Sequence, residues 1–334
     1  MARAIEVAWK GEGCTGTNPL VGAVLVKDDV ELSSGAYSRF GGEHAEVKAL
    51  RGKDAESGTL YTTLEPCVYH GKTPPCTDII LESGLKRVVV GMEDPNPRIK
   101  GRGNALLTKR GLEVVVGVCE DEVALLNPAY LLGIKKGRTA VTLKVAVSLD
   151  GRIAAADGSS QWITSGEARL DGKALRNRHH ALLVGAGTVV ADNPLLERSA
   201  HPDLPWYRVV IDRQGRIPST SHIFGARDLL WWGDKSQDVP PSAERIEPED
   251  LSDLLVLLRE RGIQSLLVEG GKLGAALLER GLVDRLVAYV APVLLGSRGL
   301  GFSPSTWATL EDGARLRDLS IKKVGVDVRI EGVL

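Results

Sequence analysis

Short runs of aliphatic and β-branched residues alternate along this chain with stretches whose apolar positions recur at helical spacing. Residues 2–10 are expected to form a helix and 21–26 a buried strand. The turn at Gly41-Gly42 opens a helix over 44–50, and 60–63 is a short strand. Pro74-Pro75 starts another helix, because first-turn amides have no intrahelical acceptor to lose. Strands at 87–90 and 113–116 and a helix over 120–132 complete a unit whose alternation predicts an α/β sandwich. The polar, glycine-punctuated stretch 133–139 marks a boundary, giving domains 1–136 and 137–334. The second domain resumes the alternation with strands at 141–147, 181–184, 209–212, 229–232, 266–268 and 286–290. Residues 234–253, rich in proline, serine and acids, predict a surface excursion ending in a helix start, and Trp231-Trp232 a core pair.

A chain of 334 residues accommodates two such domains. The 42 Lys+Arg against 43 Asp+Glu provide no basic field for nucleic acid, and 4% aromatics give little for stacking on single strands. A small-molecule substrate is the expectation. Met1-Ala2-Arg3 starts no targeting pattern, and the apolar stretch 286–295 falls short of the roughly 18 residues of a membrane span. A cytoplasmic enzyme with no membrane or nucleic-acid partner is expected. Cys14, Cys67, Cys76 and Cys119 are too few and too unevenly placed for a disulfide framework, so paired cysteines near a histidine point to metal ligation.

The chemistry-bearing pattern is His44-x-Glu46 followed by Pro66-Cys67 and Cys76. One imidazole and two thiolates supply three ligands and leave a fourth tetrahedral position open, the arrangement of a catalytic zinc. Such a metal brings the pKa of water toward neutrality, and Glu46 can carry that water's proton to a departing amine. Proline at 66 and prolines at 74 and 75 set both thiols at helix mouths, where backbone amides favour thiolate. These residues match a hydrolytic deaminase, although eight residues separate the cysteines where the common deaminase signature has two.

Longer stretches narrow this. Asn18-Pro19-Leu20-Val21-Gly22, His44-Ala45-Glu46-Val47, Thr63-Leu64-Glu65-Pro66-Cys67, His70-Gly71-Lys72-Thr73-Pro74-Pro75-Cys76 and Glu93-Asp94-Pro95-Asn96-Pro97 together resemble the bifunctional riboflavin-biosynthesis deaminase–reductase family. The resemblance implies a cytidine-deaminase-like α/β/α sandwich acting on a diamino-ribosylamino-pyrimidinone phosphate. Substrate contacts then fall on Asn18, Lys72, Asp94 and Asn96; the asparagines offer donors and acceptors to a pyrimidine edge, and Lys72 can meet a phosphate. The chain departs from the family at Tyr37 and Tyr69, where histidines are usual.

The same resemblance extends through Thr142 to Ala154, through Gly158-Ser159-Ser160-Gln161-Trp162-Ile163-Thr164-Ser165, through Gly185-Ala186-Gly187-Thr188 and through Val268-Glu269-Gly270-Gly271. It implies a dihydrofolate-reductase-like α/β domain that uses NADPH to reduce the ribose to a ribityl chain. Ala146, Trp162, Thr164, Thr188, Asp192 and the segment beginning at Gly271 (271–277) would contact NADPH, and Lys144, Ser160, Arg176, Leu196, Arg198 and Glu269 the ribose phosphate. Glu269-Gly270-Gly271 before an apolar helix also makes a phosphate cradle on physical grounds. Arg198 stands one residue earlier than the family pattern, and Arg213 is a candidate partner for a 2′-phosphate. The family pattern implies a homo-oligomer. The competing readings are a relative with an altered pyrimidine substrate or one inactive domain, and a non-catalytic zinc module.

Overall fold

The computed structural model describes residues 1–16, 18–71, 73–200, 204–234, 242–302 and 307–334, which divide into two compact units, Met1–Lys136 and Gly137–Leu334. In the first unit the elements run α1 (Ala2–Ala8), β1 (Gly22–Lys27), β2 (Val30–Ala36), α2 (Ala45–Leu50), β3 (Thr59–Leu64) and α3 (Cys76–Glu82). They continue through β4 (Arg87–Met92), α4 (Arg102–Lys109), β5 (Glu113–Val116), α5 (Glu120–Ala124) and α6 (Pro128–Lys136). The strands form one sheet in the order β2-β1-β3-β4-β5; β1 is antiparallel to both neighbours, and β3, β4 and β5 are parallel.

Alternation along the strands fills both faces. Ala23, Leu25, Leu60, Val88 and Val90 pack on one side with Ala45 and Ala49 of α2, Ile80 of α3 and Leu107 of α4. Val24 meets Ala4 and Val7 of α1 on the other, where Leu64 and Met92 pack with Val123 of α5. The expected sandwich is therefore present. The sequence reading had omitted β2 and α4 and had fused α5 and α6 into one helix over 120–132. The break has a cause: Asn127 precedes Pro128, and its side chain pairs with both backbone groups of Leu20, at 2.7 and 2.9 Å.

In the second unit the order is β6 (Ala140–Ser148), β7 (Arg152–Ala154), α7 (Gly166–Ala174), β8 (Ala181–Gly185), α8 (Ala186–Asp192), β9 (Tyr207–Asp212) and β10 (Leu229–Gly233). There follow β11 (Ala243–Arg245), α9 (Leu251–Glu260), β12 (Ser265–Glu269), α10 (Gly271–Glu279), β13 (Arg285–Ala291), β14 (Leu300–Gly301), β15 (Arg317–Val324) and β16 (Asp327–Val333). Among the described residues nine strands make one sheet, β11-β10-β9-β8-β12-β6-β13-β16-β15, parallel except for the antiparallel pairings of β16 with β13 and β15. Leu254, Leu255 and Leu258 of α9 and Leu277 of α10 cover one face; Ala168, Val189 and Ile223 cover the other, where Trp231 is buried as expected. All six expected strands exist, while β7, β11, β14, β15 and β16 had been missed. Asp250 caps α9 through the amides of Ser252 and Asp253, and residues 235–241 of the expected excursion lie outside the described residues. Among the described residues no helix is long and apolar enough to cross a membrane.

Candidate active sites

In the first unit His44 is the cap residue of α2 and Cys76 the first residue of α3, so two helix starts converge. His44 Nδ1, Cys67 Sγ and Cys76 Sγ lie within 4.8 Å of one another, with Nδ1 3.0 Å from Cys76 Sγ and 3.5 Å from Cys67 Sγ. Tetrahedral zinc bonds of about 2.0–2.3 Å put ligand atoms roughly 3.5 Å apart, so this donor set fits zinc. The backbone N–H of Cys76 donates to Cys67 Sγ at 3.3 Å, which places a helix-start amide on the thiol. A hydrogen bond from Cys76, then those from His44 and the Cys76 amide, hold Cys67 below the ordinary thiol range, so the pair gives up its first proton at Cys67. The bond to Cys67 raises His44.

Glu46 is buried, its Oε2 accepting from Cys76 Sγ at 3.4 Å. Burial, then the Cys67 charge, raises its carboxyl above the usual range. The sequence reading had not singled out Thr73, whose Oγ1 lies 3.2 Å from His44 Nε2; this fixes the ring so that Nδ1 faces the thiols. A polar residue three before a metal cysteine is too common a pattern to have been found without coordinates.

Of the expected substrate residues, Asn18 lies against Tyr37, and Asp94 and Asn96 share one loop. Asn18 Nδ2 donates to Tyr37 Oη at 2.8 Å, and the Gly41 amide donates to the same oxygen at 2.9 Å. Tyr37 is buried edge-on against His44, ring centroids 5.5 Å apart. The tyrosine that departs from the family pattern is thus built into the wall beside the imidazole. Asp94 is buried; its Oδ1 accepts from Tyr130 Oη at 2.7 Å and from the Asn96 amide at 2.9 Å, and burial raises its carboxyl. Asn96 Oδ1 is occupied by the Arg98 amide. Tyr69 is 41% exposed, and burial followed by the charges of Cys67 and Asp94 raises its phenol. Lys72 lies outside the described residues.

In the second unit Glu269 stands at the carboxyl end of the parallel strand β12. Lys144 on β6 is in register with Glu269 on β12. Arg176 grips Glu269 with both prongs, at 3.0 and 2.7 Å, and donates to the Glu197 carbonyl. Burial, with Arg176 adding to it, pulls the Lys144 ammonium below the usual lysine range. Leu196 is buried and its carbonyl accepts from Trp206 Nε1. Arg198 lies over the Trp206 ring and donates to the Leu204 carbonyl at 2.8 Å. Arg213 stacks on Trp232.

A Cβ added at Gly185 or Gly187 would meet nothing within 4 Å, whereas one at Gly270 would come 3.4 Å from Thr188 Oγ1. Gly270 has φ +126° and caps α10, and a Cβ at Gly271 would meet Ile153 Cδ1 at 2.2 Å, so Thr188 and the glycine start of α10 meet beside Ile153 with open space over Gly185 and Gly187, which fits a pyrophosphate. Ala146 lies on β6, and Thr164 is buried at the start of α7. Trp162 is 67% exposed under the Arg169 guanidinium, 4.5 Å from the ring centroid, and Ser160 is exposed on the same segment. Asp192 accepts from Gln161 at 2.7 Å.

With the geometry in place, comparison with known proteins identifies the lineage. The family description of the cytidine and deoxycytidylate deaminase zinc-binding region matches residues 1–92, and that of the RibD C-terminal domain matches residues 139–330. The chain is 40% identical to the riboflavin biosynthesis protein RibD of Escherichia coli (strain K12), covering 98% of this chain and 96% of that relative. It is 38% identical to the RibD protein of Bacillus amyloliquefaciens, covering 100% and 95%. Among solved structures, Acinetobacter baumannii RibD, form 1, matches with TM-score 0.94 at 37% identity, covering 99% of this chain and 97% of that one. The Thermotoga maritima diaminohydroxyphosphoribosylaminopyrimidine deaminase/5-amino-6-(5-phosphoribosylamino)uracil reductase matches with TM-score 0.90 at 37% identity, covering 99% and 96%. Near-complete coverage in both directions, a metal-ready deaminase unit and a separate reductase unit lead to one assignment: the chain belongs to the RibD family of bifunctional riboflavin-biosynthesis deaminase–reductases.

Proposed function

We propose that the first unit hydrolytically deaminates a diamino-ribosylamino-pyrimidinone phosphate and that the second reduces the ribose of the product with NADPH. The single observation that carries the deaminase half is the convergence of His44, Cys67 and Cys76 donor atoms next to the buried carboxyl of Glu46. Zinc, when held by these three residues, supplies the Lewis acid that makes water nucleophilic near neutral pH. Glu46 takes a proton from that water and delivers it to the departing amine, a task suited to a carboxyl raised by burial. Thr73 orients the imidazole, and Asn18 and Asn96 offer hydrogen bonds to the pyrimidine edge. Tyr37 and Tyr69 stand at this site in place of histidines and bring a phenol where an imidazole is usual.

NADPH, when bound across the Thr188–Gly270–Gly271 cradle, supplies the hydride. Ala146, Trp162, Thr164 and Asp192 complete that side, while Arg176, Arg198, Leu196 and Ser160 line the ribose-phosphate side. Lys144, depressed by burial beside Glu269, holds the proton that the reduced sugar needs. The assay is direct. Zinc-loaded protein with the diaminopyrimidine phosphate releases ammonia, and added NADPH is then consumed in step with product. Absence of ammonia from zinc-loaded protein overturns the deaminase half.

The enzyme acts in the cytoplasm and as a homo-oligomer. Leu319 and Ile321 on the edge strand β15 are 58% and 66% exposed, an apolar strip suited to a second copy. A monomeric mass in light scattering counts against the oligomer.

A further inference from the structure

Glu65 takes no part in the chemistry above, yet its buried carboxylate gathers four backbone N–H groups. Oε2 accepts from Asp94 at 3.2 Å and Gly101 at 2.9 Å, and Oε1 accepts from Gly103 at 2.8 Å and Asn104 at 3.2 Å. The Glu65 amide in turn donates to the Met92 carbonyl at 3.0 Å. One side chain therefore ties the end of β3, two residues before the thiol of Cys67, to the Asp94 loop and to the start of α4.

Two further contacts make the connection stiff. A Cβ at Gly103 would stand 2.1 Å from the Pro66 carbonyl oxygen, so α4 begins directly against the Pro66-Cys67 segment. Asp94 is held from its far side by Tyr130. Only a carboxylate offers two oxygens that both accept twice; a glutamine would turn an NH2 group toward N–H donors. The charge also suits the opening turn of a helix.

We infer that Glu65 is a positioning residue that fixes the distance between the metal-ligand segment 65–67 and the substrate loop 94–96. The inference rests on the deaminase reading given above. A role confined to capping α4 would affect folding alone. A role in alignment also changes how tightly the donor set holds metal and how well substrate is held.

The test is Glu65→Gln in the full-length chain. In the metal-free protein, hydrogen exchange of the amides of 94, 101, 103 and 104 quickens. Zinc affinity by chelator competition falls by about tenfold or more. In ammonia release KM rises and kcat falls together, while NADPH oxidation with preformed deaminated substrate, the reaction of the second unit, stays unchanged; a cooperative unfolding transition of the first unit reports its intact fold. A variant that loses only thermal stability, with the metal affinity, KM and kcat of the parent, overturns the inference. Should Glu65→Gln not fold, Gly103→Ala serves in its place: it keeps the carboxylate but pushes α4 away from Pro66. A folded Gly103→Ala with parental metal affinity and KM overturns the inference equally. If the parent releases no ammonia, the deaminase reading falls and this one with it; if the parent is active and both variants match it, only the positioning role falls.

Discussion

At the scale of single residues, the deaminase site is a set of donors whose protonation is controlled by close neighbours. Glu46 is buried against Cys76 and raised by that burial, so its basic form is lost at a higher pH than for an exposed carboxylate. Deamination accordingly falls on acidification through the raised Glu46 value, and Glu46→Gln removes that limb of the pH–rate profile. The same change lowers kcat for ammonia release by about 100-fold or more while zinc content by elemental analysis stays at the parental level. Tyr37 and Tyr69 differ in what they can be asked to do. Tyr37 is a buried bridge between Asn18 and the Gly41 amide, so Tyr37→His disturbs the loop itself. Tyr69 is partly exposed, so Tyr69→His changes substrate KM with little loss of stability, measured by parallel kinetics and urea unfolding. A large gain in kcat/KM from restoring both histidines would mark this pocket as adapted to another pyrimidine.

At the scale of elements, the site depends on how closely helices lie on the sheet. A Cβ at Gly35 of β2 would fall 2.2 Å from the Ala45 carbonyl oxygen and 2.8 Å from the Ala49 amide nitrogen, so α2 lies directly on that strand. Lys48 fastens the same helix by donating to the Ala36 carbonyl and to Ser38 Oγ, both at 2.8 Å. Gly35→Ala lifts α2, costs roughly 1–3 kcal/mol in urea unfolding and weakens zinc binding, because His44 and Glu46 ride on that helix. In the second unit His179 follows α7 and donates from Nδ1 to the Leu175 carbonyl at 2.8 Å. Burial, then the nearby charges of His180, Arg285 and Arg178, pushes it down to about 4. A histidine depressed in the folded state contributes stability above its unfolded value near 6.5 and loses it as pH falls toward the folded value. The unit therefore loses up to roughly 3 kcal/mol between about pH 6.5 and pH 4, and His179→Gln flattens that dependence in denaturant titrations.

Elements were legible in the sequence in proportion to their burial. The strands β4, β8, β10 and β12 show as continuous apolar runs because both faces are covered. The edge strands β2 and β15 carry mixed, largely exposed residues and have no such signature. Helix α4 has a glycine and an asparagine in its first turn, and its start is organised by Glu65 from a distant strand, which no local pattern reveals.

At the scale of the whole chain, two compact units carry two chemistries. Glu46→Gln cuts ammonia release by about 100-fold or more yet leaves NADPH consumption with preformed deaminated substrate, and Lys144→Ala does the reverse; following both reactions in each variant checks this. The residue types and their order, His44-x-Glu46 with Cys67 and Cys76, determined the metal and the class of reaction, because ligand chemistry resides in side-chain identity. The tertiary structure decided what surrounds those atoms: Thr73 on the imidazole, Tyr37 beside it, Tyr130 on Asp94 and the Glu65 clamp. Apart from Tyr37, which stands seven residues before His44, these contacts join residues distant in sequence through one or a few hydrogen bonds, and neither periodicity nor spacing encodes such a meeting; only the folded sheet and its helices bring the partners together.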